Sequence, residues 1–279
     1  MENKKEIMHT LTVIILCHED TPLFRKVVDS VVNQSWVTEV HLIDTHDDTN
    51  NDLETRFVKP KHAKIKSFEV PTKWENFDFA QVRNQAIAQI ETTWFLFLDS
   101  DELLDEVAQE SIGQFLSEDG DGSKNDHVGG AAVAAQLQRT DYFHNKPLRY
   151  GETGNCFKIR LSKKHHLQFV RPIHETAVVS GGNTITLAGT IKHYSHPSTK
   201  AFIDSVTRYA YLEAKLRTWN WVTCLNLIFL PPLKVLYIFF VQFGFLDGYR
   251  GLIYAYVMGL HSLFVRVFTY EIHTHHNHS

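Results

Sequence analysis

One segment constrains this chain more than any other: an apolar run of strand length, residues 94–98, that ends at Asp99, Asp101 and Glu102. A buried strand that ends in carboxylates presents them at the carboxyl edge of a sheet, where open α/β folds bind their ligands. Three acids at such an edge indicate a cation, because carboxylates without a positive partner are costly to bury. Asp-x-Asp suits a divalent cation held by one or two carboxylates, with phosphate and water as the other ligands. The segment therefore predicts an enzyme that handles a nucleoside diphosphate.

The first half of the chain alternates between strand-like and helix-like segments. Strands are predicted at residues 11–17, 40–44, 65–70 and 94–98, and helices at residues 23–33, 79–90 and 103–116. Strands that alternate with helices favour a parallel sheet in a three-layer α/β fold. A competing interpretation of the acids stays open, in which Ser100 or Asp101 caps the helix that follows.

The second half has a different pattern. After a predicted surface loop, short strand-like runs occur at residues 131–137, 156–161, 177–179 and 184–187. These runs predict a strand-rich segment that completes the site. We expect a catalytic domain over residues 1–195 and a helical C-terminal region over residues 196–279 that ends in a solvated, His-rich tail.

The C-terminal region is very apolar, and two interpretations of it compete. Residues 224–246 carry only Lys234 as a charge, but Pro231 and Pro232 interrupt the run, and residues 251–265 form a second apolar stretch. A membrane-spanning helix needs about 20 apolar residues without such a break, so neither stretch meets that condition. One interpretation is a buried helical hairpin, and the other, which we favour, is a pair of helices in the membrane interface. A Pro-broken re-entrant segment stays open as a further alternative. We expect a peripheral or monotopic protein on the cytoplasmic face of a membrane.

Composition argues against several other classes of protein. The chain of 279 residues has 43% apolar residues and a net charge of −4, so we expect a full core and no nucleic-acid partner. Cys17, Cys156 and Cys224 are odd in number and widely spaced, which predicts neither a disulfide framework nor a zinc cluster. The first ten residues are mostly polar, and we expect no cleaved secretion signal.

Polar residues also follow the first two predicted strands. Cys17, His18 and Glu19 come at the end of the first strand, and Asp44 ends the second. Because the ends of parallel strands lie at one edge of a sheet, these residues are candidates to bind a nucleoside. Asp44 would accept hydrogen bonds from the base or the ribose, and an ordinary turn acid is the alternative.

Five further residues are candidates for the reaction itself. Arg83 and Asn84 lie on an otherwise apolar helix, where Arg83 would contact a phosphate or organise the acids. A plain salt bridge is the alternative for Arg83. Glu175, which follows His174, is the best candidate for a catalytic base, and His193 is a candidate third metal ligand. A surface glutamate and a structural histidine are the competing interpretations.

In their order and intervals, these segments resemble family 2 glycosyltransferases with the GT-A fold. The resemblance rests on the strand at residues 13–17, Asp44, Phe79 with Arg83 and Asn84, and Leu98 to Glu102. The second half is similar to the branch that includes lipopolysaccharide core β-1,4-glucosyltransferases. That likeness rests on His174-Glu175, His193-Tyr194 and Gly244-Phe245-Leu246-Asp247-Gly248.

The resemblance implies an inverting transfer from a nucleotide sugar, with a UDP-sugar as the favoured donor and Mg²⁺ or Mn²⁺ as the cofactor. It implies that Asp44 binds the base and that Asp99 and Asp101 bind the ribose and the metal diphosphate. Glu175 would take the proton of the acceptor hydroxyl, and His193 would complete the metal site. The acceptor is expected to be a lipid-linked or cell-envelope glycan at a membrane surface.

Some expectations stay open at this point. Ser100, between the two aspartates, is a further candidate for substrate binding. The residues at 17–19 and 46–48 depart from the usual family pattern, so the identity of the base is undecided. A nucleotidyltransferase is a rival, but it would need a basic, Gly-rich loop after the first strand. A non-catalytic membrane scaffold of the same fold is the second rival.

Overall fold

The computed structural model describes residues 10–17, 20–45, 63–70, 78–118, 131–173 and 175–276. The chain divides into two compact units. The first consists of Met1–Arg139 and Phe157–Lys192, and the second of Thr140–Cys156 and His193–Ser279. The division into domains after residue 195 stays a proposal.

The described residues contain eleven strands and six α-helices. The strands are β1 (Leu11–Cys17), β2 (Glu39–Asp44), β3 (Ile65–Glu69), β4 (Trp94–Asp99), β5 (Glu102–Leu104), β6 (Ala132–Phe143), β7 (Lys146–Pro147), β8 (Cys156–Lys163), β9 (Leu167–Val170), β10 (Thr176–Val179) and β11 (Asn183–His196). The helices are α1 (Pro22–Val32), α2 (Phe79–Gln89), α3 (Glu106–Glu118), α4 (Thr199–Ala214), α5 (Trp221–Leu236) and α6 (Tyr249–His276).

The main sheet of the described residues has the strand order β3-β2-β1-β4-β8-β6-β11-β5, with β7 paired to β6, and β9 and β10 form a separate antiparallel pair. Strands β2, β1 and β4 are parallel, with Cys17 opposite Asp44 and Leu16 opposite Asp99. The strand order changes direction between β1 and β4, and ligands bind at such a switch point in open α/β sheets. The two predicted strand-end acids therefore lie at the same edge of the sheet.

Two apolar cores cover the two faces of this sheet. Val13 and Leu96 belong to a core shared with α1 and α3, while Ile14 and Phe97 belong to a core shared with α2. Neighbouring residues of one strand point to opposite faces, so a run that is apolar throughout fits a strand covered on both sides. The mixed α/β, three-layer fold predicted from the sequence is confirmed.

The helix predicted from residue 103 begins later. Residues 102–104 form β5, and α3 starts at Glu106 after Asp105, whose Oδ1 accepts a hydrogen bond of 2.8 Å from the Ala108 amide. The alternative in which Ser100 or Asp101 caps this helix is therefore wrong, because a strand separates them from it.

The second unit contains the three C-terminal helices. Pro231 and Pro232 lie inside α5, which continues as a π-helix over Tyr237–Val241. The prediction that these prolines interrupt the apolar run is wrong: proline keeps a helical φ although it removes a hydrogen-bond donor. Helix α6 packs closely here, since a Cβ on Gly259 would lie 3.2 Å from the Pro231 carbonyl oxygen. Helix α6 also continues to His276, so the predicted tail is helical up to that residue.

Two segments of this unit are long and apolar enough to cross a membrane by length and composition alone. They are Trp221–Val241, with a mean hydropathy of 2.0, and Tyr249–Thr274, with a mean hydropathy of 1.4. This is weak support for a span, because core helices of soluble proteins meet the same condition. The interpretation of α5 as part of a buried hairpin is wrong, since no residue between Trp221 and Leu236 is buried.

Candidate active site

Helix α2 carries a buried arginine into the first unit. Asp78 caps the helix by accepting a hydrogen bond of 2.9 Å from the Gln81 amide. One turn later Arg83 lies on the inward face and is only 3% exposed. Its guanidinium carbon lies 5.0 Å from the ring centroid of Phe97 and 5.4 Å from that of Phe169. The two rings fix the guanidinium by cation–π contact.

This guanidinium joins two of the predicted site residues. Arg83 Nη2 donates to Asp99 Oδ1 at 2.7 Å, and its Nε donates to Glu175 Oε1 at 3.1 Å. The rigid fork of an arginine fixes the groups that it contacts more tightly than a lysine does. Arg83 therefore organises the acids through salt bridges, so both sequence-based interpretations describe the same contact. The strand-end aspartate and the candidate base are held in one frame.

A second buried arginine holds the other side of Asp99. Arg160 Nη2 donates to Asp99 Oδ2 at 2.8 Å and also to Glu102 Oε1. Glu102 is fully buried, and its Oε2 accepts the Asp99 amide at 3.1 Å. Burial acts to lower the pKa of Arg160, but the charges of Glu102 and Asp99 outweigh it and raise the pKa above its usual value. Arg160 therefore stays a cation and neutralises the buried glutamate.

Sequence reasoning missed Arg160. It lies on β8 between apolar residues, in an alternating pattern with Lys158 and Ser162 that predicts a solvent-facing side. The structure instead buries Arg160, because β8 lies inside the sheet between β4 and β6. The one signal was the run Asp99-Ser100-Asp101-Glu102, whose three acids indicated that a cation was required.

The segment before Glu175 is tied to α2. The Phe79 amide donates to the Pro172 carbonyl oxygen at 3.0 Å. Asn84 exchanges two hydrogen bonds of 2.9 Å with the backbone of Phe169, so its amide joins α2 to β9. Arg171 has a φ of 72°, a left-handed conformation that is rare for such a residue and strained. Strained backbone persists where the surroundings enforce it, often at functional sites.

The end of β1 lies beside Asp44 but buries its thiol. Cys17 is fully buried and its Sγ donates to the Ile43 carbonyl oxygen at 3.4 Å. Burial, with the charges of Asp44 and Asp20, raises the pKa of this thiol. The Cys17 carbonyl oxygen accepts the Thr45 amide at 2.9 Å. The Thr45 hydroxyl donates to the same carbonyl oxygen at 3.0 Å. Cys17 is therefore enclosed by its neighbours and poorly placed to contact a ligand, whereas Asp44 is partly exposed.

Several predicted features lie outside the described residues. They are His18, Glu19, His174, the turn at residues 46–48 and the loop at residues 119–130. Ser100 and Asp101 form the turn that follows Asp99 and precedes β5.

The fit to a divalent cation depends on Asp101. Each carboxylate oxygen of Asp99 already accepts a hydrogen bond from an arginine, so Asp99 is poorly placed as a direct ligand. Among the described residues, no three His, Cys, Asp or Glu side chains are grouped to hold a metal. One carboxylate with diphosphate and water is nevertheless enough for Mg²⁺. The residues fit a cation that arrives with a nucleotide and do not form a closed metal cage.

His193 lies in the second unit and has an acidic partner. Its Nδ1 lies 2.8 Å from Asp141 Oδ1, and the two side chains are 15% and 9% exposed. A carboxylate that holds one ring nitrogen of a histidine is the usual support of a metal-binding histidine. The pair also fits a purely structural role.

Comparisons with known proteins found one family model and similar solved structures. Residues 12–187 match the family model of glycosyl transferase family 2. The crystal structure of GalNAc-T7 with UDP, GalNAc and Mn²⁺ aligns with 74% of this chain and 48% of that one, at 12% identity and a TM-score of 0.45. The chain thus spans about half the length of that protein. No curated protein has a significant sequence match to the chain.

Proposed function

The chain belongs to glycosyl transferase family 2, and from that premise we propose that it transfers a sugar from a nucleotide-sugar donor to a glycan or lipid-linked acceptor with inversion. One observation carries the proposal: Arg83 holds both Asp99 and Glu175, inside the region that matches the family. Asp99 ends a strand beside the switch point of the sheet, where ligands bind, and the shared contact with Arg83 supports the assignment of Glu175 as the base.

Glu175 is proposed to accept the proton of the acceptor hydroxyl. Its Oε1 is held by Arg83, and its side chain is 21% exposed, so it is both fixed and accessible. A base that removes the proton as the oxygen attacks the anomeric carbon makes that oxygen a better nucleophile. Attack from the face opposite the leaving diphosphate inverts the anomeric centre.

The donor is proposed to bind along the ends of β1, β2 and β4. Asp44 would accept hydrogen bonds from the base or ribose, and Ser100 and Asp99 would line the ribose. Asp101 and His193 would hold Mg²⁺ or Mn²⁺, with Asp141 orienting the histidine ring. When bound, the cation would neutralise charge on the diphosphate. The two arginines would keep Asp99 in place throughout, because both of its oxygens are hydrogen-bonded.

The acceptor is proposed to be a lipid-linked or cell-envelope glycan, reached at the cytoplasmic face of a membrane. Two long apolar helices in the second unit support an acceptor at a membrane. A relationship to the lipopolysaccharide core glucosyltransferase branch is supported by the segment at Gly244 to Gly248. There, Asp247 accepts the backbone amides of Arg149 and Tyr150, so the segment organises the loop after β7.

A donor screen tests this function. The purified protein is mixed with UDP-, GDP- and dTDP-sugars, with and without Mn²⁺, and thermal stabilisation and sugar release are measured. We expect a UDP-sugar to stabilise the fold only when the metal is present. Asp101→Ala should abolish both responses and leave the free protein's melting temperature unchanged, whereas Asp204→Ala, at an exposed acid on α4, should behave as wild type. Metal-independent stabilisation, or an active Asp101→Ala variant, would contradict the proposal.

A further inference from the structure

One face of α5 and of the π-helix that continues it, Tyr237–Val241, consists of exposed apolar side chains. We name it the outer α5 face, and it comprises Trp221, Val222, Leu225, Ile228, Phe229, Leu233, Leu236, Tyr237, Phe240 and Val241. Each of them is at least 44% exposed, and Trp221 is 74% exposed. Their spacing of three and four residues places them on one side of the helix. An apolar surface of this extent marks an interaction site.

The single charge in this segment points away from the outer α5 face. Lys234 Nζ lies 3.3 Å from Glu152 Oε1, and the two side chains are 28% and 33% exposed. The polar residues Thr223 and Asn226 are also on the less exposed side. The segment of 21 residues contains one charged side chain, Lys234. The outer α5 face contains none.

Helix α6 lies between α4 and α5. On one side, the rings of Phe202 and Tyr254 lie 5.5 Å apart, and those of Tyr211 and Phe268 lie 5.7 Å apart. On the other side, Gly259 packs against α5. Helices α4 and α5 contact each other at most marginally. Helix α4 therefore follows α6 over much of its length, on the side away from α5.

The far side of α4 is charged. Lys200 and Asp204 form an ion pair there and are 85% and 57% exposed, and Arg208 is exposed one turn later. If α5 and α6 crossed a bilayer as a hairpin, α4 would be carried into the hydrocarbon with these charges. Charged side chains facing lipid at that depth are very costly. Length and composition alone favour a span, but the packing of α4 opposes it.

We infer that α5 lies in the plane of a membrane, with the outer α5 face inserted into one leaflet and without crossing it. This rests on the membrane association in the proposed function and names the surface responsible. At 1.5 Å per residue the segment is about 31 Å long, and α6 and Glu152 cover the side that carries Lys234. Trp221 and Tyr237 are suited to the boundary between headgroups and acyl chains. The occupant is lipid, because this face offers apolar contact and no charge for a soluble partner.

Flotation with vesicles tests the occupant. The full chain is mixed with phosphatidylcholine vesicles in about 0.5 M NaCl, which screens surface charge. We expect wild type to float, and Phe229→Lys to lose about ten-fold in vesicle affinity. Val107→Lys is the matched control, since Val107 is an apolar residue on α3 of similar exposure, 52% against 58%, and it should float as wild type. Equal binding by wild type and Phe229→Lys would overturn the inference.

Size measurement tests the other occupant, a second copy of the chain. Without vesicles, we expect wild type and Phe229→Lys to have the same oligomeric state. A stable dimer that depends on Phe229, with no flotation, would overturn the lipid assignment.

Thiol labelling distinguishes a flat helix from a spanning one. In a Cys156→Ser, Cys224→Ser background, Gln242→Cys is added to sealed vesicles and treated from outside with a membrane-impermeant maleimide. We expect labelling, because a flat α5 keeps both of its ends on one side, and Thr218→Cys should be labelled equally. Protection of Gln242→Cys until detergent is added would show a hairpin that crosses the bilayer and would overturn the inference.

The two proposals fail in different ways. Vesicle binding needs no nucleotide, and the donor screen needs no vesicle. If flotation fails while UDP-sugar and Mn²⁺ still stabilise the protein, only the lipid surface is wrong. If the protein floats but no donor binds, only the proposed function is wrong.

Discussion

The two units place charged and apolar side chains in opposite ways. In the first, Arg83 and Arg160 are 3% and 5% exposed and hold Asp99, Glu102 and Glu175. In the second, the outer α5 face leaves ten large apolar side chains in solvent. Burying charge and exposing apolar surface both oppose the general tendency of folded proteins.

The difference supports a separate proposal for each unit. A network of buried ion pairs adds little to stability compared with apolar packing, so its value lies in fixing carboxylates for chemistry. An exposed apolar face lowers solubility unless something covers it, so its value lies in binding. We propose that the buried acids of the first unit serve the reaction and that the outer α5 face of the second serves attachment.

The largest expected effect is on turnover, through Glu175. Glu175→Gln keeps the size of the side chain and removes the proton acceptor, so kcat should fall by about 10²- to 10⁴-fold. Binding of UDP with Mn²⁺, measured by calorimetry, should be unchanged. Glu69→Gln, at the end of β3 on the same edge of the sheet, should have normal turnover. Normal turnover in Glu175→Gln would place the base elsewhere.

The next largest effect is on stability, through Arg160. Arg160→Met leaves the fully buried Glu102 without its closest partner and should reduce the free energy of unfolding by about 3–5 kcal/mol. Arg217→Met removes the exposed pair with Glu213 and should cost about 0–1 kcal/mol. Urea unfolding of the two variants and of wild type measures both changes in the free energy of unfolding.

A double variant sharpens this prediction. Adding Glu102→Gln to Arg160→Met removes the stranded charge, so part of the lost stability should return. If the two losses simply add, the pair is not coupled, and the first unit does not depend on arginines to bury its acids.

Sequence patterns predicted the frame of the site better than its contents. Strands β1, β2 and β4 were predicted because their apolar runs are long and end in polar residues, and parallel register then places Asp44 and Asp99 at one edge. Arg83 was found because a charge on an apolar helix face is conspicuous. Arg160 was missed because alternation along a strand does not reveal which side is covered.

In the second unit, too, local sequence patterns did not reveal which side of an element is covered. The proline pair was expected to interrupt the apolar run, yet α5 passes through it, and α6 packs against that turn. Which side of α5 faces outward follows from its packing against α6, between residues far apart in sequence. Local patterns identify apolar segments, but only tertiary packing shows which surface they leave exposed.

A smaller effect on stability is expected from His41, a buried side chain that is kept neutral rather than paired with an arginine. His41 is 1% exposed, its Nε2 lies 2.9 Å from Glu39 Oε2, and its ring lies against Phe68. Burial lowers the pKa of His41, outweighing the opposite effect of Glu39, and the hydrogen bond from Lys66 lowers the pKa of Glu39.

This arrangement predicts stability that falls with acid. The unfolded chain binds a proton at His41 more readily than the folded protein does. The folded state is therefore fully stabilised by neutral His41 above about pH 6.5, and this contribution to the free energy of unfolding is lost as the pH falls below that value. Glu39 adds a similar loss at lower pH, below its own ordinary pKa. Urea unfolding across this range should show a weaker pH dependence in His41→Gln. An unchanged slope would mean that His41 is not kept neutral by burial.

The smallest expected effect comes from the one charge within the apolar segment, and it tests the contrast between the units directly. Lys234 and Glu152 form a partly exposed pair, so Lys234→Met should change the free energy of unfolding by only about 0–1 kcal/mol. Vesicle affinity should stay the same, because Lys234 lies on the covered side of α5, whereas Phe229→Lys should weaken it. Glu152→Gln controls for loss of the pair without adding apolar surface. A marked gain in vesicle affinity for Lys234→Met but not for Glu152→Gln would mean that this lysine already faces lipid. The charge-free character of the outer α5 face would then be lost, and with it the reason for choosing lipid as its occupant.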